Sequence, residues 1–202
     1  RAEAAYTGGR VDILSGKILE RNDNELLRNQ KQEEKAIEAL KVYLPYEDKQ
    51  NFLSAETEEE LYELKVSGID KLNKYGKVLG SEAFNNIRVY KKPAAGVGVS
   101  VNSNLLQLEF LSDDMSTEEL ANIVTSYRKK KKYYRLKSGA FINMDSEYMK
   151  NFNEMLNVLE ISPKDLRTGA LTVPLYRSLY IDEMMEAHNE LVERRDESFV
   201  KL

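Results

Sequence analysis

An α+β fold with mainly antiparallel pairing is what this sequence predicts, and three observations lead there. Strand-like stretches come in closely spaced pairs joined by Gly, Asn or Ser, as hairpins require. Between the pairs run segments whose apolar residues recur at helical spacing. Some of these segments open on Ser or Thr with Glu three residues later, where each residue can satisfy an orphan amide of the other.

Residues 5–14 read as a strand broken at Gly8-Gly9, and Gly16 turns the chain into Lys17-Ile18-Leu19 to complete a hairpin. Asp23 or Asn24 caps a helix running to about Leu44, with Leu27, Ile37, Leu40 and Leu44 toward the core and Pro45 ending it. After a short extended piece at Phe52-Leu53, Thr57 and Glu60 have the capping-box spacing. Leu61, Leu64 and Leu72 continue that helix to Tyr75-Gly76, with Gly68 as the place for a kink. Residues 77–79 and 87–90 read as short strands around a brief helical turn.

Pro93-Ala94-Ala95-Gly96 has linker composition, and Val97, Val99 and Val101 then alternate onto one face. Asn102-Ser103-Asn104 turns this strand into a second one over residues 105–111. Ser116 and Glu119 form another capping box, ahead of the stripe Leu120, Ile123, Val124 and Tyr127. Two further strands, residues 133–136 and 140–144, meet across Ser138-Gly139. A helix over 145–159 buries Tyr148, Phe152, Met155 and Leu159, and Ser162-Pro163 starts a single turn ending near Gly169. Leu171-Thr172-Val173 is a short strand, and Pro174 opens a last helix running to about Arg194. The division expected is an N-terminal α+β subdomain over 1–92, an α+β core over 93–174 and a C-terminal helix over 175–202.

The chain has 202 residues, 42% hydrophobic and 32% charged, enough apolar material for a real core. Its net charge of −4 means that any contact with nucleic acid must come from a local patch. With no cysteine, disulfides and thiolate metal sites are excluded, and the composition fits a reducing compartment. No apolar run is long enough to span a bilayer and no signal-peptide core is present, so the expected location is cytoplasmic, with no membrane partner. The chain opens on Arg1 rather than methionine, from which the expectation is a segment of a longer protein.

One patch answers the charge requirement. Residues 128–137 read Arg-Lys-Lys-Lys-Lys-Tyr-Tyr-Arg-Leu-Lys, where a helix gives way to a hairpin. Cations suit phosphates and rings suit stacking, so the candidate nucleic-acid contacts are Arg128, Lys129, Lys130, Lys132, Tyr133, Tyr134, Arg135 and Lys137. Tyr133 and Tyr134 are adjacent in a strand and point to opposite faces, so at most one can stack. The competing reading is a solvated helix end, because lysines in a last turn complement the helix dipole without any partner.

No catalytic constellation is visible. Nucleophilic catalysis needs a base beside the nucleophile, and the single histidine, His188, shares an apolar stripe with Ile181, Met184, Met185, Leu191 and Val192. Glu58-Glu59-Glu60 and Asp113-Asp114 sit at helix starts, where negative charge complements the dipole. Gly96-Val97-Gly98 lacks the third glycine of a dinucleotide fingerprint. Gly16-Lys17 and Gly76-Lys77 lack the hydroxyl residue that would hold magnesium in a phosphate loop, and Leu179-Tyr180-Ile181-Asp182-Glu183 imitates a Walker B strand within a helical stripe. No metal site, no cofactor and no enzymatic reaction are expected of this chain.

Three stretches carry a resemblance: Val97-Gly98-Val99-Ser100-Val101 leading to Leu105-Leu106-Gln107-Leu108-Glu109; Ser126-Tyr127 followed by the basic run and Ser138-Gly139-Ala140-Phe141-Ile142; and Leu171-Thr172-Val173-Pro174-Leu175-Tyr176-Arg177-Ser178-Leu179-Tyr180-Ile181-Asp182-Glu183. In that order the chain resembles the associated region that precedes the ATPase motor in bacterial Swi/Snf-type helicase-like proteins, most closely over residues 96–183. The resemblance implies a parent with a downstream two-lobed, ATP-driven motor of the DEAD/DEAH-related superfamily that translocates on double-stranded DNA. In some such parents a cysteine-rich zinc-binding module lies upstream. ATP and Mg would belong to the motor, and no catalytic residue of the family maps onto this chain. Two functions follow as expectations. One is an accessory region that helps the motor engage double-stranded DNA or a partner such as the transcription machinery, in a cytoplasmic or nucleoid-associated setting. The other is a protein-interaction or autoregulatory module that packs on the motor and gates its ATPase without binding DNA. An independent small-molecule enzyme rests only on some glycine-rich turns.

Overall fold

The computed structural model describes residues 2–93, 95–111, 115–187 and 191–200. The chain separates into two compact units, Arg1–Asn85 and Asn86–Leu202, and the α+β class holds in both.

The first unit opens with an antiparallel sheet in the order β1-β2-β3, made of β1 (Glu3–Tyr6), β2 (Gly9–Asp12) and β3 (Ile18–Arg21). Two glycines make it possible. Gly9 has φ +146, and a Cβ there would lie 2.1 Å from the Glu20 carbonyl oxygen, while one on Gly8 would lie 2.4 Å from that of Glu25. The backbone that follows β3 therefore crosses directly over the first turn, which only glycine permits. That crossing also corrects the expected helix start. Helix α1 (Gln30–Tyr43) begins only after it, with Asn29 rather than Asp23 or Asn24 as the cap, accepting from the Gln32 N–H at 3.2 Å. Leu27, expected in the core, precedes the helix and is 72% exposed.

A two-stranded hairpin follows, β4 (Tyr46–Glu47) with β5 (Leu53–Ser54). Thr57 and Glu60 form the expected capping box at the start of α2 (Glu58–Glu63). The chain then makes one π turn, Leu64–Gly68, before α3 (Ile69–Leu72). Gly68 closes this turn where a Cβ would meet the Tyr43 ring at 3.0 Å, so its role is close approach to α1. Tyr43, Leu64 and Leu72 form a small core there. Residues 77–79 are not a strand, because the Asn73 side chain accepts the Val78 N–H at 3.1 Å and bends the chain into a loop ahead of α4 (Glu82–Asn86).

In the second unit, β6 (Val89–Tyr90) is followed by the long hairpin of β7 (Gly96–Asn102) and β8 (Leu105–Leu111), with Asn102 facing Leu105 across the turn. Next come α5 (Thr117–Arg128), β9 (Tyr133–Arg135), β10 (Phe141–Asn143), α6 (Glu147–Val158), α7 (Pro163–Leu166) and β11 (Ala170–Pro174). A single 3₁₀ turn, Leu175–Arg177, leads into α8 (Ser178–Ala187), β12 (Val192–Arg195) and α9 (Glu197–Val200). The strands form two sheets, β6-β10-β9 and β11-β8-β7-β12. Two pairings are parallel, β6 with β10 and β12 with β7, in an otherwise antiparallel set. Val97, Val99, Leu106 and Leu108 bury one face of the larger sheet in a core shared with Ile123, Phe152 and Leu156 from α5 and α6. The segment entering β7 is pinned from α6 by the buried Tyr148 hydroxyl, which donates to the Ala95 carbonyl at 2.6 Å.

The last helix does not reach Arg194. It stops at Ala187, and residues 192–195 become the edge strand β12, where their backbone groups pair with the otherwise open side of β7. The expected stripe therefore outlasts the helix: Ile181 on α8 and Leu191, just ahead of β12, are both buried. His188, the Met185 and Val192 side chains, Asp113-Asp114 and Ala94 lie outside the described residues.

Candidate nucleic-acid interface

The basic run is shaped by how α5 starts and ends. Ser116 caps the helix by accepting the Glu119 N–H at 3.2 Å. Glu119 does not return the bond as a capping box requires. Its buried carboxylate instead accepts the Lys137 backbone N–H at 2.9 Å, so the helix start holds the far end of the basic run.

At its other end α5 closes in a Schellman motif, with Lys130 N–H donating to the Tyr127 carbonyl at 2.8 Å and Lys131 N–H to that of Ser126 at 3.1 Å. Lys130 occupies the left-handed position of this motif at φ +56, where glycine is the usual residue. The chain then enters β9, turns at Gly139 with φ +87, and returns as β10.

The expected contacts fall into distinct environments. Arg128 is engaged by its own fold: Nε donates to Asn153 Oδ1 at 3.0 Å and Nη2 to Asn157 Oδ1 at 2.9 Å and to the Ile161 carbonyl at 3.3 Å, tying α5 to α6. Tyr134 turns toward the core with Leu136, and burial pushes its phenol pKa up, with the Glu119 charge adding to the effect. Tyr133 lies on the opposite face, edge-on to Phe141 with centroids 5.4 Å apart, and the Arg135 guanidinium carbon stands 5.6 Å from the same ring. Lys129, Lys130, Lys132, Arg135 and Lys137 are exposed. Lys131, absent from the sequence-based set although it belongs to the same run, is exposed between Lys130 and Lys132. Among the described residues no ion pair involves Lys129, Lys130, Lys131 or Lys137. Solvated ammonium groups on flexible stems can hold phosphate oxygens, and nothing in the run offers a nucleophile with its base.

The sequence as a whole matches the family described as bacterial SNF2 helicase associated, over residues 1–202. The chain belongs to that family. No curated protein and no solved structure matches it.

Within this bacterial SNF2 helicase-associated chain, the segments that echo nucleotide motifs occupy the wrong elements for that chemistry. A phosphate loop needs a Gly-Lys that opens a helix, whereas Gly16-Lys17 leads into β3 and Gly76-Lys77 into a loop. Gly96-Val97-Gly98 lies inside β7, and Leu179-Tyr180-Ile181-Asp182-Glu183 lies in α8 rather than in a strand. None of these four segments has the strand, loop and helix setting of a phosphate-binding motif or of its Asp-Glu strand. Among the described residues no group of three His, Cys, Asp or Glu could hold a metal ion, and no helix is long and apolar enough to cross a membrane.

Proposed function

We propose that this SNF2 helicase-associated region is a non-catalytic accessory module of a bacterial ATP-driven translocase, and that it helps the motor engage double-stranded DNA through phosphate contacts from Lys129, Lys130, Lys131, Lys132, Arg135 and Lys137. The observation that carries this reading is the exposed basic run held at both ends, by the Schellman motif at Lys130 and by the Glu119 carboxylate at the Lys137 amide. The Glu119 bond fixes the far end of the run against the start of the same helix. Tyr133 supplies a partly exposed ring beside the cations, whereas Tyr134 and Arg128 serve the fold. ATP and Mg belong to the motor in this account, and the setting is the bacterial cytoplasm at the nucleoid.

Phosphate neutralisation releases counterions, so the test is a salt titration of labelled duplex binding by the parent chain and by Lys129→Gln with Lys130→Gln. The double variant should bind all duplex sequences more weakly and lose about two units of logarithmic salt slope, about 0.9 for each phosphate contact removed. An unchanged slope and affinity would return the run to a solvated helix end.

A second reading, a module that packs on proteins without binding DNA, is favoured by one observation. The apolar side chains of Tyr176 and Leu179 are left exposed around the start of α8.

A further inference from the structure

The segment from Pro174 to α8 divides its apolar residues between two directions. Ile181 turns into the core, whereas Tyr176 and Leu179 are 76% and 77% exposed. With Leu105 at the β7–β8 hairpin and Pro174 at the end of β11, both also exposed, they line an open groove. Asp182 and Glu186, one and two turns beyond Leu179, line its acidic side, and among the described residues no Lys or Arg lines it.

We propose that this groove receives an amphipathic helix of a protein partner whose apolar ridge is flanked by Lys or Arg. Large apolar side chains gathered around a concave surface are what a helical ridge buries on docking. The two carboxylates choose the sign of the flanks, attracting cations and repelling phosphate, so the groove is suited to a protein and not to nucleic acid. The proposal stands independently of DNA contact by the basic run.

Two synthetic helices of about 18 residues, long enough to hold helical structure, serve as probes: both carry the same leucine ridge, one with Lys flanks and one with Glu flanks. In calorimetry the Lys-flanked peptide should bind saturably and at least about tenfold more tightly than the Glu-flanked one. Leu179→Ser should weaken it about tenfold, as loss of one buried anchor does, and Tyr176→Ser, outside the helix, should do the same. Glu186→Lys should weaken binding at low salt, with the difference closing as salt is added. All three variants should melt with the parent and keep its duplex affinity, which separates this result from the fate of the DNA reading. Peptide affinity indifferent to Leu179→Ser and Tyr176→Ser, or equal affinity for both peptides, would overturn the proposal. So would self-association of the peptide-free chain that Leu179→Ser abolishes, since the occupant would then be a second copy.

Discussion

Lys130 is a residue whose placement the local backbone disfavours. A side chain in the left-handed region carries a steric cost that glycine avoids, and the Schellman hydrogen bonds hold Lys130 there all the same. Lys130→Gly should therefore stabilise the chain by about 0.5–1 kcal/mol in chemical denaturation while weakening duplex binding. A variant that is less stable would show that the lysine stem contributes packing. Glu33 makes the opposite case, a charged residue that the fold needs. Its buried carboxylate receives Arg28 Nε at 3.2 Å and Nη2 at 2.5 Å, together with the Tyr6 hydroxyl. Arg28 holds the Glu33 carboxyl below the usual carboxylate range, with the Tyr6 bond adding and burial opposing. Its folded pKa lies below the unfolded one, so the stability it contributes is present above an unfolded value of about 4.3 and is lost as pH falls through the folded value. Glu33→Gln should cost about 1–2 kcal/mol at pH 7, and its stability curve should converge on the parent's in acid. Curves that stay parallel down to low pH would refute this assignment. None of this was legible at single positions: Lys130 carries no glycine to mark its conformation, and the partners of Glu33 come from elsewhere in the chain.

Among the elements, those set by nearest neighbours could be read and those set by distant partners could not. The Thr57 capping box and the Val97, Val99, Val101 alternation depend on local chemistry, and both stand as expected. The Ser116 box has the same spacing, but the Lys137 amide competes successfully for the Glu119 carboxylate from eighteen residues away. Strand β12 was hidden for a related reason. Val-Glu-Arg-Arg has neither the length nor the alternation of a strand, and β7 alone gives it a place to pair. Of the basic run, its turn at Gly139 and the opposite faces of Tyr133 and Tyr134 follow from sequence, while the diversion of Arg128 to α6 does not. The division within α8 makes a paired test. Ile181→Asp places an unpaired charge in the core and should unfold the second unit, whereas Leu179→Asp on the same helix should leave the melting temperature within about 2 °C. A shared loss of stability would mean that Leu179 is covered in solution.

Across the whole molecule, binding is expected without turnover. The region's own Gly-Lys segments are embedded in a hairpin turn and a loop, so the purified chain should show neither ATP hydrolysis nor specific ATP binding. Saturable micromolar ATP binding in calorimetry, abolished by changing Lys17 or Lys77, would contradict this. What the chain is expected to contribute is a cationic surface on a molecule whose net charge of −4 gives no general attraction for DNA. Backbone amide mapping by NMR during titration with a short duplex tests that claim most directly. The account predicts dose-dependent shifts concentrated at Lys129, Lys130, Lys131, Arg135 and Lys137, fading as salt is added, with α8 unaffected. Shifts that avoid this run, or no shifts at low salt, would contradict it.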